Sequence, residues 1–202
     1  MGWTFHDKYN SPRTYAEEKR EIENLFTATK EAAARGFGYE VLQASKVGSV
    51  WYVATRIIGS DNPGAYIPDS DGSYVVGFVF LTRRSQGWGY KDMDECMGPC
   101  EAKAPASLLR KLSPLDKENP RSEYAIKWRA NCEAYAARYV PKVGDRVKLA
   151  KPVQLQNGTE IQFFDVVANR CRGRNRKLFV SVENLSHYNL QGDWLLGATK
   201  VN

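Results

Sequence analysis

The run Tyr74-Val-Val-Gly-Phe-Val-Phe-Leu81 limits how this chain can fold more than any other stretch. It is the longest apolar run, far too short to cross a bilayer, and its β-branched and aromatic residues mark a central strand reaching Arg83. Two further strands precede it, Tyr39 to Lys46 and Val50 to Ile58, joined as a hairpin at Gly48-Ser49. Upstream, Thr14 and Glu17 have the spacing of a capping box. Tyr15, Ile22, Leu25, Phe26, Ala32 and Ala33 then recur at helical spacing until Gly36. The expectation is one helix over 14–36 on a three-stranded antiparallel sheet, an α+β layer pair. Gly59 to Ser73, rich in Asp, Ser, Pro and Gly, reads as an exposed loop.

A short helix is expected next, Ala104 to Leu112, and then a second long one, Arg121 to Tyr139, ended by Pro141. From there Pro-Lys-Val-Gly-Asp-Arg-Val-Lys-Leu has the pattern of an entry to a small barrel, with Val143, Val147 and Leu149 pointing inward. Strands near Gly158 to Phe164, Lys177 to Val182 and Trp194 to Leu196 complete an SH3-like β-barrel. The chain thus divides into an α+β body over 1–140, with helical segments across 104–139, and a basic barrel over 141–202.

Charge sharpens that division. The formal net charge is +6, and from Pro141 onward ten Lys and Arg face five Asp and Glu. A localised basic face points to a polyanionic partner. Arg170, Arg172, Arg174, Arg176 and Lys177 concentrate it around Gly173 between two expected strands. Planar guanidinium groups suit phosphate oxygens, and Phe163, Phe164, Phe179 and Tyr188 offer stacking faces nearby. Nucleic acid is the first reading, a host protein complex the second, and a solvated loop balancing an acidic neighbour the third.

The segment Gln86 to Glu101 concentrates aromatic, carboxylate and thiol side chains between the central strand and the second half. Asp92, Asp94 and Glu95 have the oxygen chemistry of a Mg²⁺ or Mn²⁺ site, and equally that of caps on an irregular loop or of a buried ion pair with Lys91 or Arg83. A metal-dependent enzyme acting on nucleotide or nucleic acid is the alternative function built on them. Cys96 and Cys100 are spaced C-x3-C, but the groups that would complete a zinc set, Cys132, Cys171, His6 and His187, are distant. They read better as buried small apolar residues or an adventitious redox pair. Trp88, flanked by glycines, and Tyr90 are either an exposed recognition anchor, as in an inhibitor of a host enzyme, or the indole is a plug under the sheet.

No phosphate-cradling glycine motif, H-E-x-x-H or G-x-S-x-G occurs. No cofactor is expected, and the balance falls on a binder over a catalyst. The first residues have no apolar run behind their charges, and His6 stands where a myristoylation signal wants Ser or Thr. A cytoplasmic protein with no membrane partner is the expectation, its four cysteines reduced.

Met1-Gly-Trp-Thr-Phe5 and Tyr90-Lys-Asp-Met-Asp-Glu-Cys-Met-Gly-Pro-Cys-Glu101 resemble an uncharacterised family, a domain of unknown function carried by bacteriophages and conjugative plasmids. There the block reads Gly-Tyr-Lys-Asp-Met-Asp-Glu, then Ser or Cys, then Met-Gly-Pro. Leu108-Leu109 and Trp128-Arg129 fit the same pattern. The resemblance implies a mobile-element habitat and an accessory or counter-defence role, and it transfers no catalytic residues. Its Ser alternative at Cys96 argues against an obligatory zinc thiolate.

Overall fold

The computed structural model describes residues 2–36, 38–59, 74–84, 87–118, 120–171, 174–190, 192–195 and 197–201, with the backbone alone at 32, 33, 59, 121, 169–171, 174–176, 192 and 193. The expected loop over Gly59 to Ser73 therefore lies almost wholly outside the described residues. The chain forms two compact units, Met1–Ala136 and Ala137–Asn202.

In the first unit, β1 (Thr4–Phe5) is followed by α1 (Tyr15–Phe26) and α2 (Lys30–Ala34). The strands β2 (Gly38–Val47), β3 (Val50–Gly59), β4 (Val75–Arg83) and β5 (Gly89–Asp94) follow. Then come a 3-10 turn at Glu95–Met97, α3 (Ala106–Leu109), a second 3-10 turn at Pro120–Ser122, and α4 (Glu123–Ala137). The sheet is antiparallel with order β1-β5-β4-β3-β2. It has five strands, not the expected three. The missing two come from the aromatic lead-in and from the Gln86–Glu101 segment, whose Gly89–Asp94 half pairs in register with Phe78–Arg83.

The apolar run becomes β4 because both of its faces are covered. Val76, Phe78 and Phe80 join Trp51, Val53, Trp88 and Ile22 of α1 in one core. Val75 and Val79 join Val50, Tyr52, Ala54, Leu108, Trp128 and Cys132 in the other, beneath α3 and α4. Continuous apolar sequence is what a strand between two cores requires. The layer pair is therefore a helix–sheet–helix sandwich.

The single helix over 14–36 is corrected to two pieces. Its start is as expected: Thr14 Oγ1 accepts from Glu17 N, and the Glu17 carboxylate accepts from Thr14 N at 2.9 Å. The helix stops at Thr27, whose hydroxyl donates to Glu23 O at 2.9 Å while its backbone turns extended. Ala28 N then donates to Tyr39 O at 3.2 Å. A β-branched residue that bonds back to the preceding turn competes with helix continuation, and the edge of β2 captures the freed amide.

The second unit holds β6 (Arg146–Gln154), β7 (Glu160–Cys171), β8 (Arg174–Ser181), β9 (His187–Tyr188), a 3-10 turn at Gly192–Leu195, and β10 (Thr199–Val201). The order is β10-β6-β7-β8-β9, antiparallel throughout. This is an open sheet, not the closed SH3-like barrel expected. Closure needs the edge strands to pair with each other. Here the edges are two- and three-residue strands, and each is paired on one side only among the described residues. Of the strand expected at Trp194 to Leu196, Trp194 and Leu195 belong instead to the 3-10 turn, and Leu196 lies outside the described residues. Val147, Leu149, Ile161, Phe164, Val166 and Phe179 form the core of one sheet face. Val147 and Leu149 point inward as expected, but Val143 is exposed. It sits at the corner of the Lys142–Asp145 turn, where Gly144 takes φ +92° and donates to Val166 O at 2.7 Å.

Candidate functional site

The Gly87-Trp88-Gly89-Tyr90 aromatics meet an acid that sequence reasoning overlooked. Trp88 is buried, and its Nε1 donates to Glu18 Oε1 at 2.9 Å. Trp51 Nε1 donates to Oε2 at 3.0 Å, Arg84 Nη2 to Oε1 at 2.9 Å, and Lys46 Nζ to Oε2. Burial pushes this carboxyl up, but the bonds from Lys46, Trp51 and Trp88 outweigh it and hold Glu18 below its ordinary value. A sequence signal existed: Glu18 lies four residues before Ile22, on the face that α1 buries. Of the two readings left open for Trp88, the fold makes it the plug. Tyr90 beside it is half-buried, with ring centroids 5.6 Å apart.

The three carboxylates of the alternative site take three different environments. Glu95 is fully buried and faces Arg129, whose Nη2 donates to Oε1 at 2.7 Å. Glu95 Oε1 also accepts from Gly77 N at 3.2 Å, one residue beyond the last β4–β5 rung. Asp94 caps the following 3-10 turn by accepting from Met97 N at 3.0 Å. Its carboxyl is raised by burial and, in lesser part, by the charge of Asp92. Asp92 itself is exposed. Among the described residues no group of three or more His, Cys, Asp or Glu side chains is placed to hold a metal ion. Glu95 and Asp94 instead do what carboxylates do structurally, pairing a buried arginine and capping amides.

The thiols are likewise spread out. Burial pushes Cys96 and Cys132 each up to about 11, so both are protonated near neutral pH. Cys100 is exposed, and the Cys171 side chain lies outside the described residues. His6 packs its ring on Trp88 at 5.3 Å, whereas His187 is exposed in the second unit.

The basic loop is the end of the β7–β8 hairpin. Asn169 pairs with Arg176, Arg170 with Asn175 and Cys171 with Arg174, so three of the arginines occupy its last three rungs. Arg172 and Gly173 lie outside the described residues, as do the side chains of Arg170, Arg174 and Arg176. Lys177 is exposed.

Further down the same hairpin the sheet has two unlike faces, because directly opposed residues of a ladder share a side. The inner one holds Val147, Phe164, Val166 and Phe179, all buried. The outer one carries Lys148 opposite Phe163, Arg146 opposite Asp165, Leu178 opposite Val167, and His187 opposite Val180. Of the four aromatics expected to offer stacking faces, Phe164 and Phe179 belong to the core, and Tyr188 stands edge-on to Phe164 at 5.4 Å. Phe163 alone faces outward. Lys148 Nζ stands over its ring, 5.6 Å from the centroid.

Four of the five acids of this unit are committed to other partners, and the side chain of the fifth, Asp193, lies outside the described residues. Asp165 holds Arg146 through two bonds of 2.7 and 2.9 Å. Asp145 takes Lys200 Nζ at 2.8 Å, Lys142 N at 2.7 Å and the Tyr139 hydroxyl. Glu183 accepts from Gln162 N, Phe163 N and Ser181 Oγ, and Glu160 from Gln154 Nε2.

Residues 119–192 match a family described as a domain of unknown function (DUF6927). The stretch runs from just before α4 to just past β9, and the Tyr90–Glu101 block lies outside it. No curated protein matches the chain, and no solved structure does. The chain is thus similar, over its matched part, to an uncharacterised family.

Proposed function

We propose that this is a non-enzymatic accessory protein whose C-terminal unit binds nucleic acid, or a host complex carrying it, through Arg170, Arg172, Arg174, Arg176 and Lys177. The observation that supports the reading is the distribution of charge. Residues 137–202 hold eleven Lys and Arg against five Asp and Glu, whereas residues 1–136 hold eighteen of each. The entire net charge of +6 therefore belongs to one small unit. Four of its five acids are engaged away from the hairpin end, by Arg146, by Lys200, by Gln154 and by backbone amides. That weighs against a loop whose charge merely balances an acidic neighbour, and leaves the positive potential for an outside polyanion.

The likeness of Met1–Phe5 and Tyr90–Glu101 to proteins of phages and conjugative plasmids supports a counter-defence role in the host cytoplasm. Among the described residues no helix is long and apolar enough to cross a membrane. The test is fluorescence anisotropy with labelled DNA and RNA over a salt series. Replacing Arg172, Arg174 and Arg176 together by Ala should weaken binding and flatten the salt slope by about 2, at roughly 0.7 to 0.9 for each phosphate no longer neutralised. A wild-type protein that binds no oligonucleotide at low salt, or a triple variant that binds as wild type does, removes the reading.

A further inference from the structure

The outer face of the second sheet says which form of nucleic acid such a unit takes. We infer that the ligand is single-stranded and that one of its bases stacks on Phe163, displacing the ammonium of Lys148 from the ring onto a neighbouring phosphate. The inference rests on the preceding reading that this unit binds nucleic acid, and adds the strandedness and the residues that meet the base.

Four observations carry it. Phe163 is half-buried on β7, the middle strand of the sheet, and projects away from the core that takes its neighbour Phe164. Its backbone is fixed, since Glu183 Oε1 accepts from Phe163 N at 3.1 Å and from Gln162 N at 3.2 Å. The ring is therefore set in place before any ligand arrives.

Over the ring stands a lysine ammonium, that of Lys148. A cation on a flexible stem over a Phe face is a weak and hydrated cover, and it yields to a stacking base. The third observation is the charge left free. Arg146, on the next outward rung, is held bidentate by Asp165, while no acid lies within ion-pair distance of Lys148 among the described residues. Lys148 is thus a cation on this face that is able to move to a phosphate.

The fourth is the surround. Val167, Leu178 and Val180 share the outward side and are partly exposed, so the platform is flanked by apolar surface. Bases in a duplex are already stacked on each other and turn only edges and phosphates outward. An unstacked base in a single strand has a free face, and a sheet with an outward aromatic and a mobile cation complements it.

The experiment uses the full chain, labelled oligo-dT and a DNA duplex of equal length, each at fixed low salt and over a salt series. Phe163→Leu should weaken oligo-dT binding about tenfold with an unchanged salt slope, and leave duplex binding as it was. Phe163→Tyr should restore the single-strand affinity, which separates stacking from a folding defect. Lys148→Gln should lower the single-strand slope by about 0.7. If the wild type binds oligo-dT and Phe163→Leu binds it equally well, or loses oligo-dT and duplex alike, the inference fails while the hairpin reading stands. If the wild type binds neither, both fall. Nuclease-resistant capture of a host protein that Phe163→Leu abolishes, with oligo-dT affinity unchanged, overturns it in favour of a protein partner.

Discussion

Glu18 shows what a single carboxylate becomes when a helix carries it beneath a sheet. Its two oxygens accept from two indoles, one lysine and one arginine, which leaves no lone pair to water. The side chain is only 2% exposed, so removing the acid leaves cations and indole N–H groups without their acceptor. Glu18→Gln keeps the shape but discards the charge, and turns an amide donor toward other donors. Breaking a buried pair costs about 3 to 5 kcal/mol, and the exposure of Arg84 places this case near the lower end. Urea unfolding followed by indole fluorescence should show a loss of about 3 kcal/mol at neutral pH. The pH dependence has a definite sign. The folded protein holds Glu18 below its ordinary value of 4.5, so the stabilisation is complete above that range and drains away as pH falls through it. The gap between wild type and Glu18→Gln should therefore close on going from pH 7 toward pH 3. A gap that stays constant would show that the charge is not what stabilises the node.

At the scale of elements, the edge of the first sheet depends on the absence of one side chain. At Gly89 a Cβ would lie 2.4 Å from Phe5 Cδ1 and 3.0 Å from Thr4 O. The two-residue strand β1 thus lies flat against β5 only because position 89 is glycine. Gly89→Ala should detach β1 and the following bond from His6 N to Trp88 O, now 2.8 Å. Amide exchange at His6 should quicken by an order of magnitude or more while amides in β3 and β4 keep their protection. Equal protection at His6 in the variant would sink this account. The same strand pair marks where sequence reading stopped. Elements that announce themselves locally were legible: the Thr14–Glu17 cap, the apolar β4, the Gly48 hairpin, and Pro141 as a stop. The pairing of Gly89–Asp94 with β4 was not, because Gly89, Lys91, Asp92 and Asp94 have poor strand propensity and only tertiary pairing makes them a strand. Glu95 and Arg129 lie far apart in sequence with no shared periodicity, so their pairing has no local trace either. Phe163 and Phe164 were legible as a pair, but alternation alone does not say which of them faces the core.

For the whole molecule, the borders of sequence kinship and of packing disagree, and the disagreement can be tested. The matched stretch 119–192 takes in α4 together with most of the second unit. Yet Ala125, Trp128 and Cys132 of α4 are buried in the first unit, Trp128 and Cys132 in the core with Tyr52, Val79 and Leu108. Trp128 Nε1 also donates to Glu101 O at 3.2 Å, and Arg129 neutralises the buried Glu95. A fragment that begins at residue 119 carries those apolar and charged groups away from their partners. A fragment over 137–202 leaves them behind and keeps its own core of Val147, Leu149, Phe164, Val166 and Phe179 intact. The second fragment should be soluble and give a dispersed amide spectrum, and it should retain whatever oligonucleotide affinity the full chain has, since all of the net charge lies within it. Residues 1–118 should fail to fold, because Glu95 is then buried without Arg129, at a cost of about 3 to 5 kcal/mol, and the sheet face beneath α3 and α4 loses the Trp128 and Cys132 side chains packed on it. If 1–118 folds cooperatively and 137–202 does not, kinship rather than packing marks the true boundary, and α4 belongs with the basic sheet.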